Sequence, residues 1–316
     1  MCAVYKQLKV EIYVRLEANF RGDSLVVFVV EPKNDDLVVG SFVLVNDQSN
    51  WSSEFLCHCS RMVKGTRRIR HYHGALIHTA GISLFCALQH VAKCQSKIPF
   101  MIDTGKELLN LGIKIDFCAV DREYYCYSVL AEFKKLGIDI ITPAKEYSQL
   151  KEAKVAYILN ENGRTQTYSV SEGKKKGINA RKIRVWLILL ARGKQRLDRI
   201  KNNYRKGSQS LYDAMNQMYG LITAKAPQYS GSHFPRVIRN IYKMRWQIET
   251  AFRDNEVHKG IWRSNYDGTR FIGELGRYLL YNAWQEARAE DSRGERLTLQ
   301  IFRDELVDEF TNQINL

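Results

Sequence analysis

Short apolar runs separated by turns fill the first part of the chain and predict β-strands. Residues 24–30 and 41–45 are rich in β-branched side chains, and residues 73–91 predict two further strands joined near Gly81. The run over 41–45 stops at Asn46-Asp47, so Asp47 is expected at the end of a strand.

A helix, a strand, a second helix and a second strand follow. Residues 103–111 predict a helix ending at Gly112, and 113–120 predict a strand with Asp121 at its carboxyl end. Residues 128–136 predict the next helix, which stops at Gly137, and 138–142 predict the strand that Pro143 closes. This order is typical of a parallel βαβ unit and indicates an α/β fold.

The middle of the chain differs in pattern and charge. Residues 155–159 and 165–170 flank Asn162-Gly163 and predict a β-hairpin, and 182–190 predict another strand. From Glu161 to Lys206 there are 14 Lys or Arg side chains against 3 acidic ones. The last third is helical: Pro235 suits a first turn, and the apolar spacing predicts a helix of about 25 residues that ends at Gly260. Two more helices are predicted over 271–290 and 297–314.

Composition restricts the class of partner. The formal net charge of +14 favours a polyanion, because each Lys or Arg that meets a phosphate releases counterions. No apolar run approaches the roughly 20 residues that cross a bilayer, and Lys6, Lys9, Glu11 and Arg15 interrupt the amino terminus, which therefore does not resemble a secretory signal. Seven scattered cysteines indicate reduced thiols. We expect a cytoplasmic, nucleoid-associated protein with no membrane partner.

Two places carry candidate chemistry. On the long predicted helix, the spacing of Tyr242, Arg245, Glu249 and position 256 puts them on one stripe, where a carboxylate could lie beside a phosphate clamp. A solvated stripe with an Arg245–Glu249 ion pair explains the same spacing. Asp121 ends a strand where open α/β sheets bind ligands, although an aspartate that caps the next helix is an equal alternative.

The motifs around these residues resemble a known family. Tyr242-Lys-Met-Arg-Trp-Gln-Ile-Glu249 is similar to the Y-x2-R-x3-E-x6-K signature of insertion-sequence transposases, members of the retroviral-integrase-like, RNase H-like DDE superfamily. Val120-Asp-Arg-Glu-Tyr-Tyr125 resembles the second-aspartate block of that family. Arg270-Phe271 and Leu280-Tyr-Asn-Ala-Trp284 resemble its helical tail. The resemblance covers roughly residues 40–287 and implies DNA transposition.

The resemblance implies a fold and a division of the chain. The expected fold is an α/β, RNase H-like mixed sheet flanked by helices, with a β-rich insertion before the last catalytic helix. Residues 1–144 would form the first part of the catalytic core, 145–230 the basic insertion, and 231–316 the helical part with the glutamate helix. A separate amino-terminal DNA-binding domain would be short or absent. In relatives the insertion can supply a tryptophan near a flipped base; Trp186 could do so, although its apolar strand favours core packing.

The resemblance also implies a site. Asp47, Asp121 and Glu249 would be the catalytic carboxylates and would hold Mg²⁺ or Mn²⁺, which prefer oxygen ligands. Asp23, Asp35 and Asp36 compete with Asp47 for the first position, but none of them ends a strand. The expected DNA-binding residues are Arg122, Tyr125, Lys182, Arg184, Tyr242, Arg245, Arg253 and Lys259.

One position departs from the signature. Glu256 stands where the family has its final lysine and would repel a phosphate there. Arg253 and Lys259, three residues away on either side, offer local compensation; otherwise the element has decayed. Three hypotheses stay open: an active transposase that cleaves and joins DNA as a dimer on paired element ends, a DNA-binding remnant that cannot cut, and a structure-specific nuclease that cleaves without joining.

Overall fold

The computed structural model describes the chain in thirteen segments. They are residues 10–18, 24–32, 42–52, 61–63, 66–79, 82–91, 98–113, 115–172, 181–193, 195–226, 233–257, 267–291 and 296–314. Their strands are β1 Val10–Ala18, β2 Ser24–Pro32, β3 Phe42–Ser52, β4 Arg61–Val63, β5 Thr66–Thr79, β6 Ile82–Val91, β7 Ile115–Val120, β8 Asp139–Pro143, β9 Thr165–Ser171, β10 Lys182–Ala191 and β11 Met218–Thr223. Their helices are α1 Ile98–Asn110, α2 Tyr127–Lys135, α3 Ser148–Ile158, α4 Leu197–Arg205, α5 Leu211–Asn216, α6 His233–Lys243, α7 Trp246–Val257, α8 Asp267–Glu290 and α9 Leu299–Ile314.

The chain divides into two compact units. One comprises Met1–Ile115 with Trp246–Leu316, and the other comprises Asp116–Arg245. The predicted mixed α/β fold, a sheet flanked by helices, is confirmed. The three-part division at residues 144 and 230 stays a prediction. None of the described helices is long and apolar enough to cross a membrane.

The first unit is built on long antiparallel strands in the order β1-β2-β6-β5-β3, and β4 pairs with β5. The two strands predicted over 73–91 are confirmed as parts of β5 and β6. The expectation that Asp47 ends its strand is wrong. β3 continues to Ser52, because β5 pairs with it through Asn50 and Trp51.

The second unit contains a five-stranded mixed sheet in the order β7-β8-β11-β10-β9. β7 and β8 are parallel, as the βαβ pattern predicts, and the remaining pairs are antiparallel. The predicted glycine caps are confirmed by positive φ angles at Gly112 (φ 78°) and Gly137 (φ 75°). α6 covers part of one sheet face, where Phe234 and Ile238 pack with Ile188, Leu190 and Leu221.

The hairpin predicted around Asn162-Gly163 is wrong, because its first arm is helical. Residues 155–159 fall largely within α3, whose buried positions follow the spacing of a helix face. Those positions are Leu150, Ala153, Lys154, Tyr157 and Ile158. The described residues between 145 and 230 therefore hold three helices as well as β9, β10 and β11.

The long helix predicted from Pro235 is interrupted. α6 ends at Lys243 and α7 begins at Trp246, with a turn over Met244 and Arg245. In this turn the N–H groups of both residues donate to carbonyls three residues back. Helix spacing would place Tyr242, Arg245 and Glu249 on one stripe only along a continuous helix, so the predicted stripe is not supported.

Candidate active site

Asp121 lies directly after β7, at the carboxyl edge of the parallel pair β7–β8. Its carboxylate Oδ1 accepts from the backbone N–H of Arg122 at 2.7 Å, which caps the short 3-10 helix Arg122–Tyr124. Its carbonyl accepts from the Thr142 hydroxyl at 3.0 Å. The two interpretations of Asp121 are therefore compatible. It caps a short helix, and it also lies at the edge of an α/β sheet where ligands bind in open sheets.

The second unit places Asp121, Tyr242 and Arg245 in one electrostatic environment. Burial raises the pKa of Tyr242, the Arg245 guanidinium opposes that shift, and the Asp121 carboxylate adds to it. The guanidinium of Arg245 lies 5.7 Å from the centroid of the Tyr242 ring. Arg245 is 8% exposed, so its charge acts in a medium that screens it less than water does. The Asp121 carboxylate and the Arg245 guanidinium thus both act on Tyr242, while the roles of these three residues stay predictions.

In the first unit, α7 packs on the sheet at the position where Asp47 of β3 pairs with Gly74 of β5. Asp47 pairs with Gly74 on β5, and a Cβ at Gly74 would lie 2.7 Å from Cζ of Phe252 on α7. Any larger residue at position 74 would displace the phenylalanine ring, which occupies the space of a side chain. Glu249 lies three residues before Phe252, in the first turn of α7. The backbone thus brings the helix that carries Glu249 to the strand position opposite Asp47, whose side chain is outside the described residues.

An aromatic cluster fixes α7 in the first unit. The Phe252 and Phe85 ring centroids are 5.4 Å apart, and Tyr278 and Tyr281 on α8 lie 4.4 Å and 5.3 Å from Phe85. Such tilted and edge-on pairs stabilise beyond the area they bury. Phe85 itself is held by Asn282, which accepts from its N–H and donates to its carbonyl, both at 2.8 Å.

β6 carries a bulge next to Phe85, the residue that Asn282 binds. The pairing of β5 with β6 passes from Ala75–Ala87 to Leu76–Phe85, which leaves Cys86 as the extra residue. Asn282 is 0% exposed and supplies the missing donor and acceptor of a neighbouring strand. The Tyr-Asn-Ala-Trp motif of the helical tail therefore acts on the strand that supports Phe252.

The predicted DNA-binding residues differ in accessibility. Arg122, Lys182, Arg184 and Arg253 are exposed, whereas Tyr125 is 6% exposed. Lys182 and Arg184 alternate with buried Ile183 and Val185, so they share one face of β10 with Trp186, which is half-buried. Lys259, and the competing acids Asp23, Asp35 and Asp36, lie outside the described residues. Glu256 belongs to α7, but its side chain is not described.

The proposed carboxylate ligands suit a hard divalent cation in their chemistry, because Mg²⁺ and Mn²⁺ prefer oxygen donors. Among the described side chains, which exclude that of Asp47, no group of three His, Cys, Asp or Glu is placed to hold a metal ion. The structure instead places Tyr242 under the influence of both the Arg245 guanidinium and the Asp121 carboxylate.

Together these features define an α/β protein with an aspartate at the end of a parallel strand and a nearby tyrosine and arginine. The family model of the transposase DDE domain matches residues 58–274, more than half of the chain, and the chain belongs to this family. The match includes Asp121, Tyr242, Arg245 and Glu249 and begins after Asp47.

Among solved structures, the chain is similar to the piggyBac transposase in its synaptic complex with hairpin DNA. The identity is 9% and the TM-score 0.49, over 84% of this chain and 54% of that chain. The chain thus spans about half the length of that transposase. No curated protein matches the sequence.

Proposed function

We propose that this chain is a DNA transposase that catalyses metal-dependent strand cleavage and strand transfer at insertion-sequence ends. The observation that supports it most is Asp121 at a strand end beside Tyr242 and Arg245, within the region that matches the transposase DDE domain. In the proposed reaction, water hydrolyses one strand at the element end. The freed 3′-hydroxyl then attacks a phosphodiester of target DNA, so that a new phosphodiester forms while the target strand breaks and its own 3′-oxygen leaves.

Asp47, Asp121 and Glu249 are the proposed catalytic residues and ligands of Mg²⁺ or Mn²⁺. When bound, such ions activate the attacking oxygen and stabilise the leaving one. Arg245 orients a phosphate through its buried guanidinium, and the face of the Tyr242 ring supports that guanidinium. Arg122 contributes an exposed positive charge next to Asp121.

DNA, both element ends and target, is the proposed partner, and a homodimer is the proposed synaptic form. Lys182, Arg184 and Arg253 would contact the backbone, with Tyr125 and Lys259 completing the predicted set. The exposed positions of the first three support this role. The direct role of Tyr125 is the least supported, because its ring is buried. A cytoplasmic, nucleoid-associated location stays a prediction.

The test is nicking of a supercoiled plasmid with Mg²⁺, with Mn²⁺ and with excess chelator. The wild-type chain should nick only with metal, and Asp121→Asn and Glu249→Gln should reduce the rate by at least about 100-fold, in the range of lost electrostatic stabilisation in active sites. Asp103→Asn, an exposed acid on α1, is the matched control and should nick normally.

Two results would redirect the proposal. DNA binding without metal-stimulated nicking by any variant would favour the DNA-binding remnant. Nicking that Asp121→Asn and Glu249→Gln leave unchanged would place the chemistry elsewhere. Glu256→Lys asks whether the departure from the signature matters: a faster variant would show that Glu256 impairs the site.

A further inference from the structure

A second polar surface lies at the same sheet edge as Asp121. Arg122 follows β7, Lys145 and Tyr147 follow β8, and Arg192 follows β10. We call these four residues the carboxyl-edge patch. They lie at one edge because β7 and β8 are parallel and end there together. β11 is antiparallel to β8, and β10 is antiparallel to β11, so β10 runs in the direction of β8 and also ends at this edge.

Backbone contacts hold the connections of this patch in place. The N–H of Ala144 donates to the carbonyl of Gly220 at 2.9 Å, which fixes the start of the segment that carries Lys145 and Tyr147. The Arg192 N–H donates to the Gln217 carbonyl at 2.8 Å, and its side-chain Nε donates to the Met218 carbonyl at 3.3 Å. The patch is therefore built on the ends of paired strands.

An acid that neighbours the patch, Glu146, is neutralised by a buried lysine. Lys154 on α3 is 3% exposed, and its Nζ donates to both carboxylate oxygens of Glu146, at 2.9 Å and 2.8 Å. Burial lowers the pKa of Lys154, and the Glu146 carboxylate opposes that shift. The charges of Arg192 and Arg122 also lower the pKa, so both lie close enough to act on this ammonium.

The side chains of the patch leave a net positive charge. Lys154 and Glu146 cancel, and the Asp121 carboxylate next to Arg122 offsets one of the three charges of Arg122, Lys145 and Arg192, of which Lys145 is half-buried. Arg192 also contacts Glu146 at 3.4 Å, yet its side chain stays 51% exposed. Three cations on one sheet edge are complementary to a run of phosphates.

The patch also presents an aromatic ring. Tyr147 is 58% exposed, and its ring meets Tyr125 edge-on with centroids 6.3 Å apart. The Lys145 ammonium lies 5.9 Å from the Tyr125 ring centroid. Burial, together with the neighbouring Tyr168, raises the pKa of Tyr125, which stays a neutral support behind Tyr147. An exposed ring flanked by cations is the arrangement that binds unpaired nucleotides.

We propose that the carboxyl-edge patch binds an unpaired stretch of DNA: a base stacks on Tyr147 while Arg122, Lys145 and Arg192 contact the flanking phosphates. An unpaired strand fits better than a duplex, because the base faces of a duplex are stacked on one another and cannot cover the tyrosine ring. The inference rests on the proposed function only in naming DNA as the partner. It adds that strands separate beside Asp121.

The test is fluorescence anisotropy with a labelled single strand of about 12 nucleotides, within the site sizes of single-strand binding surfaces, and with the same strand annealed to its complement. Tyr147→Ala should weaken single-strand binding about 5- to 150-fold, the range for loss of one base–aromatic stack, and should change duplex binding much less. Tyr147→Phe retains the ring and should bind like the wild type. Tyr212→Ala, which removes a tyrosine that is 72% exposed on α5, is the matched control and should also bind normally.

Salt dependence tests the phosphate contacts separately. Lys145→Gln should reduce the slope of log affinity against log salt by about 0.7 for the single strand. Lys134→Gln, an exposed lysine at the far end of α2, should leave the slope unchanged. Circular dichroism of each variant checks that the fold is kept; Tyr147 makes no side-chain cap to α3, so its loss should not unfold the chain.

The outcomes separate this inference from the proposed function. If Tyr147→Ala binds single strands within 2-fold of wild type (about 0.4 kcal/mol), or if Tyr147→Phe is as weak as Tyr147→Ala, the stacking role is overturned even if the wild type nicks plasmid with metal. If the wild type never nicks but the alanine and phenylalanine variants differ as expected, the patch stands and the transposase proposal fails.

Discussion

Asn282 offers a sharp test of how the first unit holds the glutamate helix. Its side chain is 0% exposed and satisfies both backbone groups of Phe85 at 2.8 Å. Asn282→Ala leaves a buried N–H and a buried C=O without this partner. At about 1–3 kcal/mol for each unsatisfied group, the expected loss in the free energy of unfolding is about 2–6 kcal/mol. The lower end applies if water enters the space left by the amide.

The assay is urea denaturation followed by tryptophan fluorescence. Trp284 lies two residues from Asn282, is 6% exposed and donates to the Leu297 carbonyl at 2.7 Å, so it reports on this region. The midpoint should fall while the slope stays constant, as expected for a change in stability alone. Asn110→Ala, at the exposed end of α1, is the matched control and should change stability by less than about 0.5 kcal/mol. An equally small effect of Asn282→Ala would refute the role assigned to the amide.

Asn282→Asp tests the same two hydrogen bonds through the pH dependence of stability. A protonated carboxyl can accept from the Phe85 N–H and donate to its carbonyl, whereas a carboxylate can only accept. Burial and this hydrogen bond should raise the folded-state pKa of the new acid above its unfolded value. Its stability contribution is then present at low pH and lost as the pH rises through the folded pKa. A variant whose deficit relative to wild type does not shrink on acidification would contradict this.

Three further predictions concern the strands. Gly74→Ala forces Phe252 to move, so it should cost about 1–3 kcal/mol of stability and slow cleavage. The control Gly276→Ala, in open space on α8, should be neutral or stabilising. Equal effects of the two variants would contradict the close contact at Gly74. Burial lowers the pKa of His78, so the stability of the fold should decrease as the pH falls below the usual histidine range. Thermal melts at two pH values should show a smaller pH dependence for His78→Asn than for the wild type. An equal pH dependence would show that His78 is not its source. Arg184→Gln should reduce the salt slope of duplex binding by about 0.9, and an unchanged slope would remove this residue from the DNA surface.

The sequence predicted the second unit best where local pattern and packing agree. β7, α2 and β8 follow from hydrophobic periodicity bounded by Gly112 and Gly137, each with positive φ. The apolar pattern did not predict α3, because Lys154 interrupts the apolar face of this helix. The burial of that lysine depends on Glu146, eight residues away in sequence and placed by the end of β8. The local sequence therefore does not show that this lysine can be buried, because its partner is supplied by tertiary structure.

The first unit shows a different limit. The polar residues after Val45 predict the end of a strand, but β3 continues because β5 pairs with it over its whole length. Nothing local marks the turn at Met244 and Arg245, which has neither glycine nor proline. The roles that the motifs assign to Asp121, Tyr242 and Arg245 stay predictions, although Asp121 and Arg245 both act on the pKa of Tyr242. Which tyrosine is exposed depends on packing that the sequence does not show: Tyr125 is buried and Tyr147 is not.

The central claim is that this chain joins DNA as well as cutting it. The most direct measurement incubates an oligonucleotide with a free 3′-hydroxyl and a supercoiled plasmid, with Mg²⁺ or Mn²⁺, and looks for covalent joining of the two. The account predicts a joined product with the wild-type chain and with Asp103→Asn, and none with Asp121→Asn. Cleavage without joining would identify a nuclease, and joining that survives the loss of the Asp121 carboxylate would contradict the proposed site.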